Sequence, residues 1–171
     1  MNRKARAMDD GDPPKMWRIG LGKRLRLAHM AFSRALRIEL AKDNVSFGQF
    51  VHLERLWEQD GLTQKELSAR VGVETASSTT ILAELEQLGF VTRERSPEDG
   101  RAIVVRLTQR GTQLRPTLLE AASRVNLQAR AELDDDALAK IYAALDSIAD
   151  ALGHAYPNAG RATARLRLDR K

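Results

Sequence analysis

Between residues 17 and 42 apolar side chains return at three- and four-residue steps: Leu21, Leu25, Ala28, Phe32, Ala35 and Leu36. That period belongs to one long amphipathic helix. The stretch VSFGQF then carries two devices of a helix start: Ser46 and Gln49 at capping-box spacing, and Val45 and Phe50 where a hydrophobic staple closes. LTQKEL repeats both, with Thr63 and Glu66 as the box and Leu62 and Leu67 as the staple. The helix it opens is short, 64–71, because Gly72-Val73 does not extend it comfortably. A further helix spans 76–88, with Ile81, Leu82, Leu85 and Leu88 on its inner face and Gly89 as its stop. A short helix, a tight glycine turn and a longer helix make helix-turn-helix spacing, which an ordinary αα-corner shares.

The period then changes. FVTRER, 90–95, reads as a strand with Val91, Arg93 and Arg95 on one side and Phe90, Thr92 and Glu94 on the other. AIVVRLT, 102–108, is a second strand, with Ile103, Val105 and Leu107 facing one way. Ser96–Arg101 is the turn between them, with Pro97 fixing φ and Gly100 free to take positive φ. A helix-turn-helix followed at once by a two-stranded hairpin is a winged helix, so the expected fold is mainly α with a small β-wing. Thr108 caps a long helix over 109–133, striped by Leu114, Leu118, Ala121, Ala122 and Val125. The last helix, 135–154, opens on Asp134 as N-cap with two more acids in its first turn. Its stripe of Leu138, Ile141, Leu145, Ile148 and Leu152 has a and d spacing. An intramolecular seam uses such a stripe too; downstream of a wing it is expected to be a dimer interface.

This pattern divides the chain into a polar arm, 1–15, carrying Pro13-Pro14; a helical dimerisation module, 16–44 and 109–156; a winged helix-turn-helix lobe, 45–108; and a basic tail, 157–171. Composition adds a few exclusions. Among 171 residues the net charge is +5, which suits an anionic partner without requiring one. There is no cysteine, so disulfides, thiolate catalysis and thiol redox sensing are all absent from this sequence. The early basic cluster of MNRKARAMDDGDPPK has no apolar run behind it, so it is not a signal peptide. No stretch approaches the ~20 apolar residues a bilayer requires. A cytoplasmic protein without a membrane partner is expected. His29, His52 and His154 fall on three different helices and show no ligand spacing, so no metal site is expected. No nucleophile elbow, phosphate loop or dinucleotide fingerprint occurs either. Neither an enzyme nor a cofactor is expected.

Taken together, residues 17–154 resemble a regulator of the MarR family (multiple antibiotic resistance regulator type). The most specific part is Asp99, one residue, Arg101, five residues, Leu107-Thr108 and then Gly111, which matches the family's D-x-R-x-x-x-x-x-L-T pattern without insertion. The tract 63–91 fits as well, with Leu85 and Gly89 at the family's usual places. The resemblance implies a dimeric winged-helix repressor of triangular shape. Its first and last helices interlock, and a small-molecule pocket lies between that module and the DNA-binding lobe. One departure stands out. The helix ETASSTTILAELEQLG holds no Lys or Arg but does hold Glu74, Glu84 and Glu86, and many members have an arginine where Thr80 stands.

Candidate residues follow. Arg101 at the hairpin tip is a cation on a stiff stalk, suited to a narrow minor groove, and Asp99 is placed to pair with its guanidinium. Thr75, Ser77, Ser78, Thr79 and Thr80 offer hydroxyls to base edges or phosphates, which read bases more weakly than an arginine. Affinity is therefore expected to lean on Lys65, Arg70, Arg93, Arg95 and Arg101. His29, Phe32, Arg34, Phe50, His52 and Trp57 lie on the first two helices, where the resemblance places an effector. Aromatic walls with a few cations suit an aromatic anion, although Phe32, Phe50 and Trp57 serve equally as core. The expected function is a ligand-responsive repressor that binds a pseudo-palindromic operator on double-stranded DNA as a homodimer. The alternative is a winged helix used for protein interaction without an operator of its own, which the acidic helix favours.

Overall fold

Reciprocal caps set the two central helices. In the computed structural model, which describes residues 20–155, Ser46 Oγ accepts from the Gln49 N–H while Gln49 Oε1 accepts from the Ser46 N–H. Thr63 and Glu66 make the same exchange. These boxes open α2 (Phe47–Glu58) and α3 (Gln64–Val71). The long helix α1 (Leu21–Ala41) precedes them, and α4 (Thr75–Gln87) completes the helix-turn-helix. Gly72 closes α3 in the left-handed region at φ 80°, donating its N–H to the Ser68 carbonyl. No side chain with a Cβ occupies that region as readily.

The wing consists of β2 (Val91–Arg95) and β3 (Ile103–Leu107) in antiparallel register, Val91 opposite Leu107 and Arg95 opposite Ile103. A third strand joins them: β1 (Leu62–Thr63) pairs with β3 on its other edge, giving the order β1-β3-β2. The expected two-stranded hairpin is thus a three-stranded sheet. Two residues are too few to show alternation in the sequence. Asp60 supports this edge by accepting the Leu107 N–H at 2.9 Å.

The expected helix 109–133 is divided into α5 (Gln109–Gln113) and α6 (Arg115–Ala129). Pro116 has no N–H to give the Thr112 carbonyl, which instead accepts from Leu114 as the chain tightens there. Asp134 then caps α7 (Asp135–Ala155), its Oδ1 accepting the Ala137 N–H at 2.8 Å. The expected arm, tail and first turn around Trp17 lie outside the described residues. Gly100 does not use positive φ, which among the described glycines is confined to Gly61, Gly72 and Gly89.

One core joins these parts. Leu53, Leu56, Leu67, Leu82, Leu85, Val91 and Val105 fill the lobe, and Leu36, Leu40, Leu118, Ala121 and Val125 extend the cluster into α1 and α6. Glu39 on α1 pairs with Arg124 on α6 at 2.8 Å. Hydrogen bonds from Lys42 and then Arg124 hold the Glu39 carboxyl below its ordinary pKa. Among the described residues no helix is long and apolar enough to cross a membrane, and no three metal-ligating side chains converge.

Candidate nucleic-acid interface

Helix α4 is seated on α2 by polar links as well as by leucines. His52 is fully buried; its Nδ1 lies 2.7 Å from the Gly48 carbonyl and its Nε2 2.9 Å from Ser78 Oγ. A carbonyl only accepts, so Nδ1 carries the proton and Nε2 accepts from the Ser78 hydroxyl. Burial depresses the pKa of this imidazole, opposed in part by the Gly48 bond. One turn away Gln49 Nε2 donates to Glu84 at 3.0 Å. Gly48 lets the helices approach: a Cβ there would stand 2.8 Å from Ile81 Cδ1. Two sequence expectations change here. Ser78, expected at the DNA, is buried against His52 and faces the core. His52 and Phe50, expected in an effector pocket, belong to the interior of the lobe.

Two of the acids of α4 are bonded within the chain. Glu84 is bonded to Gln49, and Glu86 takes the Arg93 guanidinium at 2.8 and 2.6 Å as well as the Arg93 main-chain N–H at 3.1 Å. Arg93 therefore ties the base of the wing to α4 rather than extending toward a ligand. Glu74 remains exposed at the N-cap. The sequence shows three acids on this helix but not which way they turn.

The L-T-x-x-G end of the motif locks the wing to the helices. Thr108 Oγ1 donates to the Gly89 carbonyl at 2.7 Å and accepts the Gly111 N–H at 3.0 Å, capping α5. A Cβ on Gly111 would stand 2.0 Å from the Phe90 carbonyl oxygen, so only glycine allows this approach. Trp57 Nε1 donates to the Gly111 carbonyl at 3.0 Å. Trp57, also expected in the pocket, is thereby a strut between α2 and α5, and its ring meets Phe50 edge-on at 6.4 Å.

The D-x-R end organises the tip. Ser96 Oγ accepts from the N–H groups of Glu98 and Asp99, and the Asp99 carbonyl accepts from Ala102. Asp99 Oδ1 accepts the main-chain N–H of Arg101 at 3.0 Å. The expected Asp99 pairing with the Arg101 guanidinium is replaced by this turn bond. The carboxylate shapes the loop and leaves the exposed guanidinium without a carboxylate partner among the described residues.

Between α3, the start of α4 and the wing lies a hollow of about 800 Å³, lined by residues that include Lys65, Arg70, Thr75, Asp99 and Arg101. Five of the eleven expected DNA contacts thus converge on one concavity. Ser77, Thr79, Thr80 and Arg95 are exposed outside it, while Ser78 and Arg93 turn inward. Gln64 was not foreseen: it lines the hollow and donates to Thr79 Oγ1. Its position just after the Thr63 cap is the only sequence signal that marks it.

The remaining candidates separate. His29 and Arg34 share a hollow of about 260 Å³ on α1 with Met30, Ser33 and Arg37, and Phe32 packs against the core. The six expected pocket residues are therefore not gathered in one cavity. Along α7, Leu138 is buried within the chain, Ile148 is half-buried, and Ile141, Leu145 and Leu152 are exposed.

A helix-turn-helix bonded to a stiff wing, with cations around the intervening hollow, defines a winged-helix protein of the nucleic-acid-binding type. Comparison with known proteins points to a family: the sequence profile of the MarR family matches residues 45–103, so this stretch is a MarR-family domain. The organic hydroperoxide resistance transcriptional regulator of Bacillus subtilis is 36% identical over 76 residues, covering 44% of this chain and 52% of that protein. The HTH-type transcriptional regulator TtmR of Methylorubrum extorquens is 36% identical over 85 residues, 50% of this chain and 44% of its own length. The chain thus spans about half the length of these curated relatives. A MarR transcriptional regulator from Methanosarcina mazei superposes with a TM-score of 0.71 at 25% identity, over 75% of this chain and 93% of its own.

Proposed function

We propose that this chain binds double-stranded DNA as a homodimer, with α4 in the major groove, Arg101 in the adjacent minor groove, and repression at a pseudo-palindromic operator as the outcome. The observation that carries this reading is the convergence of Lys65, Arg70, Thr75 and Arg101 on one concavity beside an exposed helix. The phosphate-facing cations lie at its rim, where they position the protein, and α4 is left to meet the bases. The exposed Ile141, Leu145 and Leu152 support association through α7. A salt titration of duplex binding tests the proposal. Phosphate contacts require affinity to fall steeply and linearly in log salt, and a flat response at low affinity would reject it. The protein-interaction alternative loses part of its motive, since Glu86 is paired with Arg93 within the fold.

A small-molecule effector is the second half of the proposal. His29, Arg34 and Arg37 around the α1 hollow suit an anion. In a dimer reading half-sites ~34–36 Å apart, a small shift of α1 against α5–α6 spoils simultaneous docking. A screen of aromatic acids and acyl thioesters against operator binding checks this. The B. subtilis relative is named for organic hydroperoxides, but a thiol sensor of such oxidants is not available here because these 171 residues contain no cysteine.

A further inference from the structure

From the outer face of α4 we infer that this protein reads A·T pairs through the C5-methyl groups of thymine, with no guanine contact from its recognition helix. The inference rests on the DNA-binding reading above and adds the base class. Helix α4 buries Ser78, Leu82 and Leu85. At 3.6 residues per turn the opposite line runs through Ala76, Thr80, Ala83 and Gln87. Val73, 38% exposed in the preceding turn, continues the same apolar surface.

Two hydroxyls beside that line are committed elsewhere, while Ser77 stays exposed at its edge. Thr79 Oγ1 donates to the Thr75 carbonyl at 2.8 Å and accepts from Gln64, and Thr75 Oγ1 lies 3.5 Å from Ser68 Oγ. Glu84 is bonded to Gln49 and Glu86 to Arg93, and no Lys or Arg lies between Thr75 and Gln87. A guanine is selected mainly by a bidentate Arg or Lys on its O6 and N7, and this helix has neither. What it does present at its centre is the methyls of Ala76 and Thr80, and Ala and Thr methyls pack against the thymine methyl. Lys65, Arg70 and Arg101 supply phosphate and minor-groove attraction around it, so the central surface is free to be apolar.

The test begins with selection of tight sites from random duplexes by the full chain. Thymines in the selected half-site are then replaced by deoxyuridine, which lacks only the methyl, and guanines by 7-deazaguanine, which lacks N7. Each contacted thymine methyl should be worth about fourfold in affinity, the ordinary value of one buried methyl-sized group. Thr80→Ser, which keeps the hydroxyl, should lose affinity and become insensitive to deoxyuridine at one position. Thr80→Val, which keeps the methyl, should bind as the wild type. Loss in Thr80→Val with retention in Thr80→Ser, or a larger penalty for 7-deazaguanine than for deoxyuridine, overturns methyl readout while leaving DNA binding intact. Failure to bind any duplex at low salt overturns both readings together.

Discussion

The winged lobe and helix α7 are built on opposite terms. In the lobe most of the apolar side that the pattern sets up finds a cover in the same chain, Leu88 at the end of α4 being left exposed, and even the polar side chains His52, Gln49 and Ser78 are buried with partners. Along α7 nearly every residue from Ala139 onward is exposed, although its apolar period is the cleaner of the two. The difference shows that periodicity reports which face is to be buried and not what will bury it. The Leu/Ile stripe of this 21-residue helix is left largely uncovered by the described residues, whereas the lobe closes on itself.

The largest effect should come from breaking the lobe at its closest approach. Gly111→Ala sets a Cβ against the Phe90 carbonyl, and backbone on both sides leaves little room to yield. A loss of about 3 kcal/mol is expected, the upper range for overpacking, read as a fall in the urea midpoint. A variant as stable as wild type would show that α5 shifts freely over Phe90. The same substitution should leave the helicity of α7 unchanged.

Leu145→Lys attacks the other region. It exchanges an exposed apolar side chain for a charge, so the lobe should keep its thermal midpoint. Association should weaken by about 1.5–3 kcal/mol per copy of the lost leucine, seen by sedimentation as monomer at micromolar concentration. A folded dimer indistinguishable from wild type would remove α7 from the interface.

Arg101→Ala separates binding from folding within the lobe. The exposed guanidinium has little to lose in the free protein, yet a groove arginine is worth about 1–3 kcal/mol, or fivefold to over a hundredfold in affinity. Asp99→Ala should cost less, because it loosens the turn that aims the cation without removing it. Arg106→Ala, on β3 below the tip, should bind as wild type at fixed salt. Arg101→Ala within twofold of wild type, with an unchanged salt slope, would reject the wing-in-groove reading.

The smallest effect concerns His52. Its folded pKa lies below the ordinary histidine value of 6.5. Above that pH the imidazole is neutral in both states and contributes no slope. As pH falls below about 6.5 the unfolded chain takes up a proton that the buried ring resists, so the lobe loses up to ~1.4 kcal/mol per pH unit until the folded pKa is reached. Unfolding at pH 7.5 and 5.5 should show this loss in wild type and not in His52→Gln. Glu54, whose carboxyl is raised by burial, acts in the opposite sense in both proteins and cancels in the difference. An equal slope in the two would mean the ring is open to solvent.

Much of this fold was legible because its signals are local. Ser46, Thr63, Asp134 and Gly89 act on backbone groups within a few residues, so their roles are readable from spacing alone. The motif Asp99–Gly111 likewise marked the wing, and the tip cation followed from it. Missed features depend on partners far along the chain. Strand β1 exists because β3 lies beside it, and Ser78 is hidden because His52, 26 residues away, reaches it.

Short segments of the sequence are enough to mark where most helices begin, which faces are apolar, and that Arg101 stands at a hairpin tip, but not that the chain breaks between α5 and α6. Hydrogen bonds to neighbouring backbone and a 3.6-residue period are properties of short segments. The tertiary structure alone decided the direction of each polar side chain. It bonded Glu84 to Gln49, made Arg93 a strut against Glu86 and Asp99 a turn former, and dispersed the six effector candidates among core, strut and surface. Those outcomes follow from the cost of burying an unpaired charge or hydroxyl, and whether a partner is within reach is settled only when distant segments pack.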